Sequence, residues 1–227
     1  MPDSGLHFWD IGSGGEEVWA MAGPNAWVYR WNGNGWTRKS TLATSEIEVS
    51  PEGRPWIVDM DLGVYRWNGV AFVRVGDLCA QDIAVGANDD AWAVGCDEDG
   101  MWNRSIFRWN PSTRVWQQIP GRANSVGMSG SGRAWIYRIF SDRDVAYERV
   151  GSSWIWRGGA TTRINFIEGA SMTEYPGSTD VYGWNPNTQS FQLYLASNMH
   201  LNDITWGPGP LWGVDTDGRV YKAETIR

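Results

Sequence analysis

Four residue types recur together along this chain, and their side chains suit binding chemistry. The first set is Tyr29-Arg30-Trp31-Asn32. In an extended strand, Tyr29 and Trp31 share one face and Arg30 takes the other. An indole face can lie against the apolar C–H face of a pyranose, while Arg and Asn hydrogen-bond its hydroxyls; small-ligand sites combine an aromatic wall with a few polar groups in this way. The set returns as Tyr65-Arg66-Trp67-Asn68 and as Phe107-Arg108-Trp109-Asn110, and in reduced form as Tyr182, Trp184 and Asn185 around Gly183. These residues are the candidate ligand contacts. The same types also have an architectural use: Tyr and Trp as core, Arg covering apolar surface with its stem, and Asn-Gly as a hairpin turn. Recurrence favours ligand contact, because independent packing solutions would not need the same Arg and Asn in each copy.

Two acidic patterns offer weaker chemistry. Asp59-x-Asp61, Asp97-x-Asp99 and Asp215-x-Asp217 place carboxylates at alternate positions, as the start of a calcium loop does. The rest of such a ligand set, including a late Glu, is missing, and Asp-Gly is also a favoured turn. Asp10, Asp82 and Asp203, with Glu46 at the corresponding place, each precede an Ile. There a carboxylate can accept backbone N–H bonds at a strand entry, or it can touch a ligand.

Bond-breaking chemistry has no such support. The chain shows no nucleophile elbow, no Ser-His-Asp arrangement, no metal motif and no phosphate loop. The expectation is a protein that is not an enzyme and uses no cofactor. With two Cys and two His (His7, His200), a zinc site is not expected. Cys79 and Cys96 flank a predicted hairpin that turns near Asn88–Asp90. Pairing from that turn leaves them close but out of register, so a disulfide stays open while free buried thiols are the expectation. The 19 basic and 26 acidic residues give a net charge of -7, and no Lys/Arg cluster stands out. A nucleic-acid partner or an anionic membrane surface needs a basic face, so neither is expected. No apolar run is long enough to span a bilayer, which argues against membrane insertion. Met1–Gly5 lacks the pattern of a signal peptide, so a cytoplasmic location is expected.

The elements that must position these residues are strands. The aromatic that leads each copy stands at 29, 65, 107, 147, 182 and 221, a spacing of about 35 to 42 residues. A Trp in an apolar run precedes it at 19, 56, 92, 135 and 212, and a further aromatic follows at 36, 72, 116, 154 and 191. With the first-strand Ile, each repeat carries four short β-branched and aromatic segments separated by Gly, Asn, Asp and Pro. The repeats run about 8–38, 39–75, 76–119, 120–157, 158–193 and 194–227. A lone four-stranded sheet cannot bury both faces, but a ring of them can. The expected fold is an all-β, single-domain, six-bladed β-propeller of four-stranded antiparallel blades. The termini are expected to close the ring, through either the segment around Leu6–Trp9 or residues 223–227.

The order Asp82-Ile83, Trp92-Ala93-Val94, Ile106-Phe107-Arg108-Trp109-Asn110 and Trp116-x-x-Ile119-x-Gly121 resembles the tectonin repeat, and the resemblance covers the whole chain. It implies a propeller lectin. For the fungal members of that family it implies recognition of bacterial or nematode surface glycans in defence, with O-methylated mono- or oligosaccharides and lipopolysaccharide as partners. Repeats four, five and six depart from the pattern: Glu148-Arg149 replaces Arg-Trp, Met172 replaces the second-strand Trp, and Ala223 replaces the core Trp. Whether the chain forms a homo-oligomer stays open at this level.

Overall fold

Each repeat spends its β-branched and aromatic residues on short strands, and its Gly, Asn and Asp on the turns between them. The computed structural model describes residues 5–129, 132–141, 144–158, 163–167, 170–174, 181–195, 201–206 and 211–223. β1 (Phe8–Gly14), β2 (Glu17–Ala22), β3 (Trp27–Trp31) and β4 (Trp36–Ser40) build the first sheet. β5 (Thr44–Val49), β6 (Pro55–Asp59), β7 (Gly63–Trp67) and the first half of β8 (Phe72–Val85) build the second. From Gln81 onward β8 is the first strand of the third repeat, followed by β9 (Ala91–Glu98), β10 (Arg104–Asn110) and β11 (Val115–Ala123). The fourth sheet holds β12 (Ser125–Met128), β13 (Ala134–Ile139), β14 (Asp144–Val150) and β15 (Ser153–Gly158). The fifth holds β16 (Arg163–Ile167), β17 (Ala170–Glu174), β18 (Val181–Asn185) and β19 (Ser190–Leu195). The sixth holds β20 (Leu201–Trp206), β21 (Leu211–Asp215) and β22 (Val220–Ala223). Strands pair in chain order within each repeat, and the registers are antiparallel. A 3-10 turn at Ala87–Asp89 is the one helical element among the described residues. No helix is long and apolar enough to cross a membrane.

The chain divides into two compact units, residues 1–80 with 201–227, and residues 81–200. Within the first unit the sixth sheet lies beside the first. The backbone N–H of Phe8 donates to the carbonyl of Gly218 at 3.0 Å, so the N-terminal segment abuts the β21–β22 turn, while Phe8 and Trp9 themselves belong to β1. The alternative closing strand, residues 224–227, lies outside the described residues.

Tryptophan joins neighbouring sheets. In four repeats the second-strand Trp packs on the aromatics of the next. Trp212 of the sixth sheet meets Trp31 of the first, ring centres 6.1 Å apart. Trp19 of the first meets Trp67 of the second at 5.2 Å. In the second unit, Trp92 meets Trp154 of the fourth sheet at 5.9 Å, and Trp135 meets Trp184 of the fifth at 5.5 Å. The rings are tilted or edge-to-face, the arrangement their quadrupoles favour, worth about 0.5–1.5 kcal/mol per pair beyond burial. Close approach at the first strands needs a missing side chain: a Cβ on Gly14 would lie 2.0 Å from the Ser50 carbonyl oxygen.

The first-strand aspartates bridge the same sheets. Asp10 accepts from the backbone N–H of its own Ile11 and from that of Ile47 in the next sheet, both at 2.8 Å. Asp203 accepts from Ile11 at 3.0 Å. In the second unit, Asp82 accepts from Ile83 at 3.0 Å and from Val126 at 2.6 Å. Of the two uses open to these carboxylates, the structure shows the backbone one, and extends it from one sheet to the next.

The cysteines require a correction: Cys79 and Cys96 are disulfide-bonded, not free thiols. A one-residue bulge of the kind three other first strands carry would bring them opposite each other. First strands shift register by one residue between Phe8 and Asp10, between Thr44 and Glu46, and between Leu201 and Asp203. The hairpin of the third repeat closes with the Gly86 N–H on the Asp90 carbonyl at 3.0 Å. Counted outward from there with the same shift, Cys79 falls opposite Cys96; an unbulged hairpin leaves them one residue apart. We expect the native chain to take up no thiol-alkylating reagent until reduced. Reduction should lower its unfolding free energy by roughly 3 kcal/mol, as for a closed loop of this length. Alkylation of both cysteines in the unreduced native chain would contradict the bridge.

Candidate functional site

The recurring motif is built into the sheets before it can serve a ligand. Arg30 lies across the strand pair from Trp19, and its guanidinium stands 6.0 Å from the Trp19 ring centre. Arg66 stands over Trp56 at 5.6 Å and Arg108 over Trp92 at 5.2 Å. Each cation therefore covers the second-strand Trp of its own sheet, a contact worth about 0.5–1 kcal/mol at a half-exposed site. Arg30 also pairs with Glu17, and Arg108 with Asp90 at 2.6 Å. Trp31 and Trp67 are half-buried in the clusters between sheets, while Trp109 and Trp184 are buried.

The asparagines cap turns. Asn32 accepts from the N–H groups of Asn34 and Gly35, Asn68 from Val70 and Ala71, Asn110 from Ser112 and Thr113, and Asn185 from Asn187 and Thr188. An Asx turn of this kind explains why the residue recurs. Tyr29 packs in the cluster shared with the sixth sheet and Tyr65 in the cluster shared by the first and second. Phe107 is half-buried, and the Tyr182 side chain lies outside the described residues.

The acidic turns are likewise occupied. One oxygen of Asp59 accepts from the N–H groups of Asp61 and Gly63, Asp99 from Met101 and Asn103, and Asp215 from Asp217 and Arg219. The Tyr221 hydroxyl donates to Asp215 at 2.8 Å. Burial alone would push the Asp215 carboxyl up. The N–H groups of Arg219 and Asp217, the Tyr221 hydroxyl and the Arg219 charge outweigh it and hold the carboxyl below its ordinary range. These aspartates shape hairpins through Asx turns. Among the described residues, no group of three or more His, Cys, Asp or Glu side chains converges as metal ligands do.

The motif meets an open cleft in the third repeat. There Arg108, Trp109 and Asn110 line a space of about 470 Å³ together with Asn88, Asp89, Asp90 and Gln117. The cleft lies at one end of the sheet, between the β8–β9 turn and the β10–β11 turn. Asn88 and Asp89 both hold left-handed backbone, with φ of 59° and 58°. Non-glycine residues pay for that conformation. The Gly86–Asp90 bond and the Asp90 N–H on the Ala87 carbonyl hold it in place. Trp109 supplies the aromatic part of the lining. The rim carries amide, carboxylate and guanidinium groups, which can donate to and accept from a polyhydroxylated ligand. Sequence reasoning named Arg108, Trp109 and Asn110 but not Asn88, Asp89, Asp90 and Gln117. The signal was there: Asn-Asp-Asp stands directly before the second-strand Ala91-Trp92.

No family model matches the chain, and no curated protein matches it. Solved structures do. A protein of unknown function from Bacteroides thetaiotaomicron superposes with a TM-score of 0.65 at 14% identity, covering 94% of this chain and 68% of that one. The tricorn protease superposes at 0.66 and 11% identity, over 96% of this chain and 26% of its own, so the chain spans about a quarter of that protein. A structure described as YCF48 bound to D1 peptide superposes at 0.57 and 14% identity, over 99% and 80%. At these identities the likeness shows the fold: an all-β chain of the β-propeller class.

The fourth repeat shows why its motif departs from the others. Glu148 stands opposite Trp135, where Arg30 stands opposite Trp19. It is 2% exposed and pairs with both Arg133 and Arg157. Arg133 precedes the second-strand Trp, where repeats one and three carry Glu17 and Asp90. The ion pair is thus kept with its charges exchanged. Arg157 in turn covers Trp184 of the next sheet at 5.3 Å. Glu148→Gln removes the charge from between two guanidiniums. Breaking a buried pair from one side costs about 3–5 kcal/mol, and partial exposure of Arg133 places the expected loss at the low end. Chemical unfolding checks this; a change below about 0.5 kcal/mol would contradict the pairing.

Proposed function

We propose that this chain is a non-catalytic, multivalent glycan-binding protein of the tectonin type, with six repeats forming six blades of one propeller domain. The observation that carries the reading is the cleft of the third repeat, where Arg108, Trp109 and Asn110 meet four further polar residues. A cleft lined by an indole and by neutral and charged hydrogen-bonding groups suits a pyranose, O-methylated ones included, since a methyl ether removes a donor and adds apolar area. The tectonin resemblance extends this to bacterial or nematode surface glycans, lipopolysaccharide among them, in a defence role. Single sites of this kind bind at about millimolar to high-micromolar Kd, and several on one chain supply avidity. The sequence points to the cytoplasm; the Cys79–Cys96 bridge favours an oxidising compartment, where surface glycans are also met.

A protein-interaction scaffold is the second reading, and one feature favours it. The β9–β10 hairpin ends in exposed Met101 and Trp102. It is held firmly, because buried Asn103 exchanges two hydrogen bonds with the backbone of Ile139, at 2.8 and 2.9 Å.

The two readings part in one experiment. Agglutination of glycan-bearing bacteria should be blocked by free O-methylated monosaccharide. It should weaken about ten-fold in the Asp89→Asn, Gln117→Ala double variant, whose Asn tolerates the left-handed backbone at 89, and it should survive Trp102→Ala. Unchanged agglutination by the folded cleft variant would overturn the assigned site. Loss with Trp102→Ala and no inhibition by sugar would favour the scaffold.

A further inference from the structure

Arg149 stands where other repeats carry an indole. In the first, second, third and fifth repeats a third-strand Trp lies opposite a fourth-strand aromatic: Trp31 with Trp36, Trp67 with Phe72, Trp109 with Trp116 and Trp184 with Phe191. Those ring centres are 5.1 to 5.4 Å apart. The same register in the fourth repeat sets Arg149 opposite Trp154, with its guanidinium 5.0 Å from the ring centre. A cation has taken the place of an apolar ring.

The exchange leaves donors without acceptors. Among the described residues Arg149 makes no hydrogen bond and no ion pair, and its Nη1 is buried with no acceptor. Glu148, its neighbour in the chain, takes the other face of β14 and is held by Arg133 and Arg157. Trp92 meets Trp154 at 5.9 Å, and its indole N–H is also buried without an acceptor. The first repeat shows how such donors can be met. There Glu17 accepts from the Trp19 indole N–H at 3.1 Å and from both Nε and Nη2 of Arg30. Asp90 holds the corresponding place in the third repeat with one methylene fewer. It accepts from Nε of Arg108 at 2.6 Å and does not satisfy the Trp92 N–H.

Two guanidiniums, one over each of two touching indoles, thus share the single carboxylate of Asp90. A charge drawn partly out of water is stabilised by a counter-charge with good hydrogen-bond geometry. The N–H fork of a guanidinium matches carboxylate and phosphate oxygens. We propose that Arg108 and Arg149 form an oxyanion site between the third and fourth repeats, which binds one carboxylate or phosphate group. Burial first, and the charge of Arg108 second, hold the Arg149 guanidinium below its ordinary range, and a bound anion offsets both. Arg108 also lines the cleft of the third repeat, so the anion is either free or carried by a sugar held there. The sugar-borne source rests on the glycan reading of that cleft; the oxyanion site does not. Asp89 and Asp90 line the cleft as well and offset Arg108, so the attraction for an anion depends on Arg149.

Titration of the intact chain with inorganic phosphate at fixed ionic strength tests the site, read by NMR at the side-chain N–H groups of Arg149, Arg108 and Trp92. All three should shift saturably, with a Kd of about a millimolar. Arg149→Trp, which restores the residue that four other repeats carry, should abolish the saturable shift at Arg108 and Trp92. An unsaturable shift in the wild type, or an equal response in the folded variant, overturns the site. Should the variant fail to fold, the wild-type titration alone decides. Methyl glucuronide and methyl glucoside, which differ by a carboxylate against a hydroxymethyl group, separate the two sources. A Kd for the glucuronide about ten-fold below that of the glucoside places the anion on a sugar. A saturable phosphate shift with no binding of either sugar keeps the oxyanion site and removes the glycan reading. Equal binding of both sugars with no saturable phosphate shift overturns the oxyanion site and leaves the glycan reading standing.

Discussion

One contact organises the described sheets: a second-strand Trp on one sheet seated against the aromatics of the next. It occurs as Trp212 on Trp31, Trp19 on Trp67, Trp92 on Trp154 and Trp135 on Trp184. A sheet with apolar residues on both faces must be covered on both, and a flat, large indole does this with few residues. The same Trp is also covered by a cation from the neighbouring strand, as in Arg30 over Trp19, Arg108 over Trp92 and Lys222 over Trp212. Cation, indole and the tilted or edge-on aromatic of the next sheet form one unit, built again along the chain. Aspartates at the first strands reinforce it by accepting N–H bonds from the adjacent sheet.

This changes what recurrence in the sequence means. Arg returns at 30, 66 and 108 because it covers the second-strand Trp, and Asn at 32, 68, 110 and 185 because the following turn needs an Asx cap, so recurrence alone is weaker support for a ligand than the sequence suggested. In the third repeat the Arg-Trp-Asn edge opens on a cleft, because the Asn88–Asp90 turn adds amide and carboxylate groups beside it. A ligand site there uses the same Arg, Trp and Asn together with the residues of the β8–β9 turn.

Much of the fold was legible in the residues. The first-strand Ile, the second-strand Trp and the Tyr-Arg-Trp core each fall on a strand, because β-branched and aromatic runs between Gly, Asn and Asp leave few other choices. Three things were not legible, for physical reasons. The Trp pairs join residues about 48 or more positions apart (Trp19 to Trp67, Trp92 to Trp154), and spacing within one repeat says nothing of contacts between repeats. Whether Cys79 and Cys96 can bridge turns on one residue of register, and a one-residue bulge has no strong sequence mark. The fourth repeat read as degenerate because Glu148 replaces Arg, yet Arg133 and Arg157 restore the pair with the charges exchanged. The site was half legible: its motif residues recur, while its cleft-specific acids lie in a turn that composition alone does not distinguish from any other.

The central claim is that Trp19 and Trp67 act as a unit across two sheets. A double-mutant cycle on unfolding free energy, with Trp19→Leu, Trp67→Leu and the pair, measures that directly. The account predicts a coupling of about 0.5–1.5 kcal/mol. Additivity within about 0.3 kcal/mol would contradict it and leave the recurring Trp without its structural role.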